Sequence, residues 1–362
     1  MPEDVYVYYS GATDVTGKKI VEALEATGGT TKPNKEKAVV IGWGAKTNGK
    51  VDLGNAVVLN HPDRIKENRN KFNTLKILKD AGVAVASFAS AENVMAALES
   101  GDVTLPLVGR RNFHQGGKGF WLCMTKGHVE KAIQADNGAQ YFQNFIPIKD
   151  EFRLHIFDDE CIYAVKKVER ENLQEAFIEQ QGEKVKNIAA KKKVDLDEAT
   201  MNFVLERLGK REEHPDQVIR SNLRGWKFSK VKTPNEALVD EAVKALKAAN
   251  LNFGAVDCCI DEDGNPWIIE INSGPGLQES TFDAWIEKFK DTIDKILNPP
   301  KQNKKVKSAV VNKDLNDEAP QKQMGSKLNL QQKLTTIQEL IDKADDDEAA
   351  VIAKVVAKLF KD

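Results

Sequence analysis

Two periodicities alternate along this chain. Short apolar runs bounded by turn-forming residues read as strands, and apolar stripes recurring at roughly helical spacing read as helices. Val5–Tyr9, Ala38–Ile41 and Ala56–Leu59 predict buried strands. Between the first two, Ile20, Val21 and Leu24 form the apolar face of a helix, with Thr16 as its cap and Gly28-Gly29 as its end. Gly42-Trp43-Gly44 then reads as a plain turn. Asn68–Gly82 predicts a helix in which Asn70 is the N-cap, Phe72, Leu75 and Leu78 are the stripe and Gly82 is the stop. Leu105–Cys123 predicts strand, glycine-rich loop, strand. Phe152, Leu154 and Ile156 alternate with Arg153 and His155, as a half-buried strand requires. Cys161–Val168 is a further strand, and Thr281–Ile296 is a helix broken by Asn298-Pro299-Pro300.

The strongest chemical signal lies in Gly254–Leu277. Gly254–Glu262 and Asn265–Asn272 read as strands, and Asp263-Gly264 between them is a two-residue hairpin signal. Such a turn pairs Glu262 with Asn265, and counting back pairs Asp257 with Glu270. Side chains alternate, so Glu270 and Asn272 share a face that Asp257 joins from the partner strand. A hairpin polar on both faces would also carry these residues, but Trp267, Ile269 and Ile271 require burial. Two carboxylates and an amide oxygen on one strand face suit Mg²⁺, which keeps open positions for phosphate oxygens. Cys259 falls on the face of Asp257, where core filling is its plainer role.

The string Glu270-Ile-Asn-Ser-Gly-Pro-Gly-Leu277 resembles the metal-binding end of ATP-grasp carboxylate–amine ligases, most closely the branch of ribosomal-protein glutamate ligases. The resemblance covers roughly Asn68–Ile296 and implies an α/β architecture whose two α+β lobes clasp ATP. It implies Asp257, Glu270 and Asn272 as ligands of two Mg²⁺ ions, with Mn²⁺ as a substitute. Lys71 matches a lysine that reaches the ATP phosphates, although an exposed lysine would read the same. Gly116, Gly117, Lys118 and Gly119 match a phosphate lid, whose glycines let backbone N–H groups approach phosphate. The family's lysine before that lid is replaced by Arg110-Arg111, either of which can contact phosphate bidentately. Gln143, Asn144, Phe145 and Ile146 match the adenine hinge, with Asn144 where the family usually has Glu. Glu151-x-Arg153 matches an acidic-x-Arg step, and Lys167 a basic position. Arg220-Ser-Asn222-Leu matches a step that grips the transferred phosphoryl group. The spacing of a Walker loop is absent, which disfavours a P-loop fold.

Composition sets the remaining bounds. A chain of 362 residues predicts more than one domain. The division read from sequence is a leading α/β domain over 1–66, one lobe over 67–140 and a second over 141–298 with a charged insertion at 169–218. A linker over 299–327 and an amphipathic helical tail over 328–362 follow. The insertion, with a helix expected from Asp195 through Leu208, is either a solvated surface segment or a substrate flap. The tail must dock on the body, on a second copy or on a macromolecular partner. A net charge of −2 gives no reason to expect general nucleic-acid binding. No apolar run approaches a bilayer span, and the start lacks secretory character. Four cysteines without zinc-like spacing read as reduced packing residues in a cytoplasm.

The reaction so implied is ATP-dependent amide formation through an acyl phosphate, from small-molecule, peptide or protein carboxylates and amines. Arg153, Lys167, Arg220 and Asn222 are the candidate groups for it. An ATP-grasp kinase that stops at phosphoryl transfer, and a degenerate nucleotide-binding assembly protein, are the competing readings.

Overall fold

The structure is a computed structural model, and it describes residues 2–47, 49–113, 119–169, 219–220 and 226–299. Gly116, Gly117, Lys118, Asn222, the insertion after Glu169, and the linker and tail after Pro299 lie outside the described residues.

Three sheets carry the fold. The first is parallel, in the order β2-β1-β3-β4, from Thr27–Gly29 (β2), Val5–Tyr9 (β1), Val39–Trp43 (β3) and Val57–Leu59 (β4). The helix between β1 and β2, α1 (Val15–Ala23), is capped by Asp14, whose side chain accepts from Gly17 N–H; Thr16 lies inside it. Gly28 and Gly29 belong to β2 rather than to a helix end. The expected Gly42–Gly44 turn is replaced by strand, because Trp43 is core: it is 1% exposed.

The second sheet is antiparallel, ordered β5-β8-β6-β7 from Phe88–Ser90, Tyr141–Asn144, Leu107–Arg110 and Phe120–Cys123. Two helices, α4 (Val94–Ser100) and α5 (Lys126–Gln134), close its apolar side, where Val94, Leu107, Val129 and Phe142 are buried. Ahead of it come α2 (Pro62–Arg69) and α3 (Lys71–Asp80). Asn70 ends the first and caps the second, accepting from Asn73 N–H at 3.1 Å. Gly82 follows the stop with φ +68°, as a glycine just past a helix end should.

The third sheet holds the candidate site. Its antiparallel order is β11-β10-β9-β12-β13, from Trp226–Lys230, Glu160–Glu169, Ile148–Phe157, Phe253–Asp261 and Pro266–Asn272. The alternation in β9 behaves as read: Phe152, Leu154 and Ile156 are buried in one cluster with Leu238, Ala242, Ala245 and Leu246 of α6 (Glu236–Ala248). Each fully buried leucine there contributes on the order of 2 kcal/mol. The opposite face divides along its length. At one end Phe157 and Phe253 pack with Trp43 and with Trp285 and Phe289 of α7 (Glu279–Leu297). At the other end the same face turns polar. No described helix is long and apolar enough to cross a membrane.

Candidate active site

The polar end is built on the β12–β13 hairpin, and its register has a surprise. Asp261 N–H donates to Asn265 O, so the turn is Glu262-Asp263-Gly264, one residue longer than the two-residue turn expected. Gly264 takes φ +89°, the left-handed residue such a turn needs. Near the turn Cys258 therefore faces Ile268, but a bulge follows and Asp257 faces Glu270 after all. Ile269 is the extra residue. The bulge also exchanges the buried positions: Ile268 is 1% exposed, whereas Ile269 and Trp267 are only half-buried. Asp261 fixes the turn. Burial opposes its ionisation, but hydrogen bonds from Trp267 Nε1, Asn265 and Asp263 N–H outweigh this and hold its pKa below the ordinary value.

The expected metal ligands do converge. Asn272 Nδ2 donates to Glu270 Oε1 at 3.0 Å and to Asp257 Oδ2 at 3.4 Å. Two carboxylates and an amide are hard oxygen donors of the kind Mg²⁺ takes, and a half-turn of the amide brings Asn272 Oδ1 to face them. Among the described residues no group of three or more His, Cys, Asp or Glu side chains is arranged to hold a metal ion. The expected donors are only two acids with the Asn272 amide, a set that such a group of three does not include.

Each acid on this face has its own cation. Arg153, opposite Asp257 in the register, donates from Nε to Oδ1 at 2.6 Å and from Nη2 to Oδ2 at 2.8 Å. Burial works against the charge of Arg153, but Asp257 more than compensates and raises the guanidinium pKa above its ordinary value. Lys167 pairs with Glu151. Burial pushes the Glu151 carboxyl up, against the pull of Lys167. Lys71, in the first turn of α3, reaches Glu270 Oε2 at 3.4 Å and Ile271 O at 3.5 Å. The resemblance pointed Lys71 at phosphate; Glu270 lies about two hundred residues further along the chain, and its contact with Lys71 had no sequence signal. Arg220 donates to Ile148 O at 2.6 Å and Lys149 O at 3.2 Å, stacks 4.7 Å over Trp226, and its charge reaches Glu151.

The second sheet supplies the other expected residues. Arg110 ends β6 and lies 5.5 Å over Phe120. Its charge is felt by Tyr141, as is that of Glu270: burial pushes the Tyr141 hydroxyl up to about 12, Arg110 pulls it down and Glu270 pushes it up. Arg111 packs instead against Gly119, whose φ is +61° and where a Cβ would stand 3.0 Å from the Arg111 side chain. Of the two arginines, Arg110 is the one whose charge Tyr141 feels together with that of Glu270. Tyr141 was not singled out by sequence, because a tyrosine in a strand ordinarily reads as core.

At the expected hinge two of the backbone donors are already bonded. Gln143 lies in β8, paired with Phe88 and Val108. Asn144 N–H donates to Ser87 O at 2.8 Å and Phe145 N–H to Pro106 O at 2.9 Å. The Asn144 side chain is taken by Thr104, at 3.0 and 3.1 Å. Ile146 is left as the backbone donor without a bond among the described residues. His155, on the face of Arg153, is structural. Its Nδ1 accepts from Trp285 Nε1 at 3.0 Å, and burial, aided by Arg153, pushes its pKa down to about 3. Cys259 is fully buried, with its thiol pKa raised by burial, and fills the core as read.

No protein-family profile matches this chain, and no curated protein matches it significantly. Solved structures do. The ATP-grasp ligase PsnB complexed with minimal precursor superposes with a TM-score of 0.50 at 13% identity, covering 81% of this chain and 100% of that one. The D-alanine–D-alanine ligase from Bacillus anthracis superposes with a TM-score of 0.51 at 11% identity, covering 81% and 95%. Similarity at this level of identity speaks for architecture: the chain has the ATP-grasp fold.

Proposed function

We propose that this protein is an ATP-dependent carboxylate–amine ligase that forms an amide through an acyl phosphate. The observation that carries the reading is the polar end of the third sheet, where Asp257, Glu270 and Asn272 lie beside Arg153, Lys167 and Lys71. Phosphoryl transfer asks for positioning and charge neutralisation rather than a side-chain nucleophile, and this face offers both signs of charge at fixed positions. Asp257, Glu270 and Asn272 would hold Mg²⁺, which when bound neutralises phosphate charge and orients the reacting phosphoryl group. Arg153, Lys167 and Arg220 hold positive charge where an anionic carboxylate and phosphate must meet. Lys71 and Arg110 approach from the α3 and β6 side, and the Ile146 N–H can take the adenine edge.

In the first step a carboxylate oxygen attacks the γ-phosphorus and the bond to the β–γ bridging oxygen breaks, giving acyl phosphate and ADP. In the second an amine nitrogen attacks the acyl carbon, phosphate leaves, and the nitrogen loses a proton. PsnB is described as complexed with minimal precursor; peptides stand beside small molecules among the substrates proposed. The Arg220-Ser-Asn222-Leu step supports the glutamate-ligase-like branch.

The test is a screen of amino acids and peptides for ADP and phosphate release, with mass spectrometry of the products. Amine-dependent ADP release with a product lighter by one water than its two parents is expected. ADP release that ignores the amine and yields a stable phosphorylated product would make the chain a kinase.

A further inference from the structure

On the polar face each of three carboxylates meets a cation. Asp257 is gripped through both oxygens by the Arg153 fork, at 2.6 and 2.8 Å. Glu270 has Lys71 at 3.4 Å, and Glu151 has Lys167. The Asn272 amide N–H group is turned toward both Asp257 and Glu270. A divalent ion at Asp257 would stand close to the guanidinium that forks both of its oxygens, so the two cations compete for one carboxylate charge.

We propose that Arg153 and Lys71 are exchangeable counter-ions of the metal ligands, released from Asp257 and Glu270 when polyphosphate arrives, so that metal and polyphosphate enter only together. The inference rests on the ligase reading of this face and deepens it. Charge supports it. The three pairs cancel and Arg220 adds positive charge beside Glu151, so a dication alone would raise an already positive potential, whereas a dication with a polyphosphate would not. Entering together, they give every displaced charge a new partner. Unpairing either member of a buried bidentate pair with nothing in exchange is strongly unfavourable, so the exchange is coupled. Geometry supports it as well. Arg153 Nη1 has no protein acceptor among the described residues, and the guanidinium lies 5.0 Å over the exposed ring of Phe228, which leaves it a route to an incoming anion. Lys71 is anchored at the start of α3 but held only by contacts of 3.4 and 3.5 Å, loose enough to swing.

The experiment measures Mn²⁺ binding to the full-length protein by the loss of the free-ion electron paramagnetic signal, with and without ADP. ADP binding is followed separately by calorimetry. Arg153→Gln and Lys71→Met are compared with Lys166→Gln. Lys166 carries the same charge but pairs with Asp150 at 2.7 Å. In wild type, Mn²⁺ binds weakly alone and much more tightly with ADP. Affinity for Mn²⁺ alone rises by about tenfold or more in Arg153→Gln, rises less in Lys71→Met, and is unchanged in Lys166→Gln. The gain from adding ADP shrinks accordingly in Arg153→Gln. Wild type binding Mn²⁺ alone as tightly as Arg153→Gln overturns the proposal, and so does an equal rise in Lys166→Gln. If Arg153→Gln does not fold, Lys71→Met against Lys166→Gln, with Mn²⁺ held by ADP alone subtracted, decides it. Coupled binding without amide formation would sink the ligase reading alone; amide formation with uncoupled binding would sink the exchange alone.

Discussion

Glu270 lies between Lys71 and Asn272, and its charge is what the ligase reading needs. Glu270→Gln keeps shape and removes that charge, so turnover should fall by about 100-fold or more while the melting temperature changes little. Wild-type ADP release in this variant would remove Glu270 from the machinery. His155 makes a pH prediction. Its folded pKa is depressed to about 3 from an ordinary 6.5, so the folded state favours the neutral ring that accepts from Trp285. The stability this contributes is fully present above pH 6.5 and is lost as pH falls through the window toward 3. Between pH 7.5 and 5.5 the protein should lose about 1 kcal/mol through this residue. Urea unfolding of His155→Gln at both pH values should show that part of the loss gone. Asn60 makes a third prediction. It is fully buried at φ +58°, donates to Phe253 O and accepts from Asn252 N–H and Phe253 N–H. Asn60→Gly keeps the backbone angle and should cost about 2 kcal/mol in lost hydrogen bonds. Asn60→Ala should cost roughly 1 kcal/mol more, for the left-handed angle; equal losses in chemical denaturation would show that the angle carries no strain.

At the level of elements, the β12–β13 hairpin shows what a sequence can and cannot disclose. Asp257 opposite Glu270 was legible, because strand alternation and a turn signal suffice to count it. The route to that register was not. The longer turn and the bulge at Ile269 are errors of one residue each, and they cancel. The bulge could not be read because it depends on what Ile268 packs against, which is α6, an element whose stripe belongs to a tertiary cluster. The α2–α3 break at Asn70 was half legible: its capping was read, but the helix ending on the same residue was not. The Asn60–Asn252 clamp was invisible, since nothing local links two asparagines so far apart. Gly274, just past β13, gives this scale its own prediction. A Cβ there would stand 2.7 Å from Gly44 N and 2.8 Å from Gly44 Cα, with backbone on the other side of the contact. Gly44 N–H also donates to Ser273 O at 3.2 Å. Gly274→Ala should therefore open the contact between the end of β3 and the loop after Asn272, costing about 1–3 kcal/mol in melting experiments. Unchanged stability would mean that the loop shifts freely.

For the whole molecule, the leading sheet is tied to the third one. Tyr8 and Val40 share the core cluster that holds Leu154 and Val256, and Trp43 joins the aromatic group around Phe253. Residues 1–66, read from sequence as a domain, thus contribute core to the sheet that bears the site. Their excision should unfold the rest, whereas truncation after Asn298 should leave a folded chain that still releases ADP. Circular dichroism melts of both truncations check the pair, and loss of fold in the second would make the tail part of the core.

Trp43 and Trp285 meet edge to face, with centroids 5.3 Å apart and planes at 88°. One comes from the leading sheet and the other from the last described helix. Two indoles that close, fixed at a large mutual angle, couple their electronic transitions and should give a paired signal of opposite signs in the aromatic circular dichroism. Because that signal needs both rings in place, it would vanish when the leading sheet parts from α7, even while each keeps its backbone structure. The protein therefore carries its own optical gauge of whether the two ends of its fold are joined.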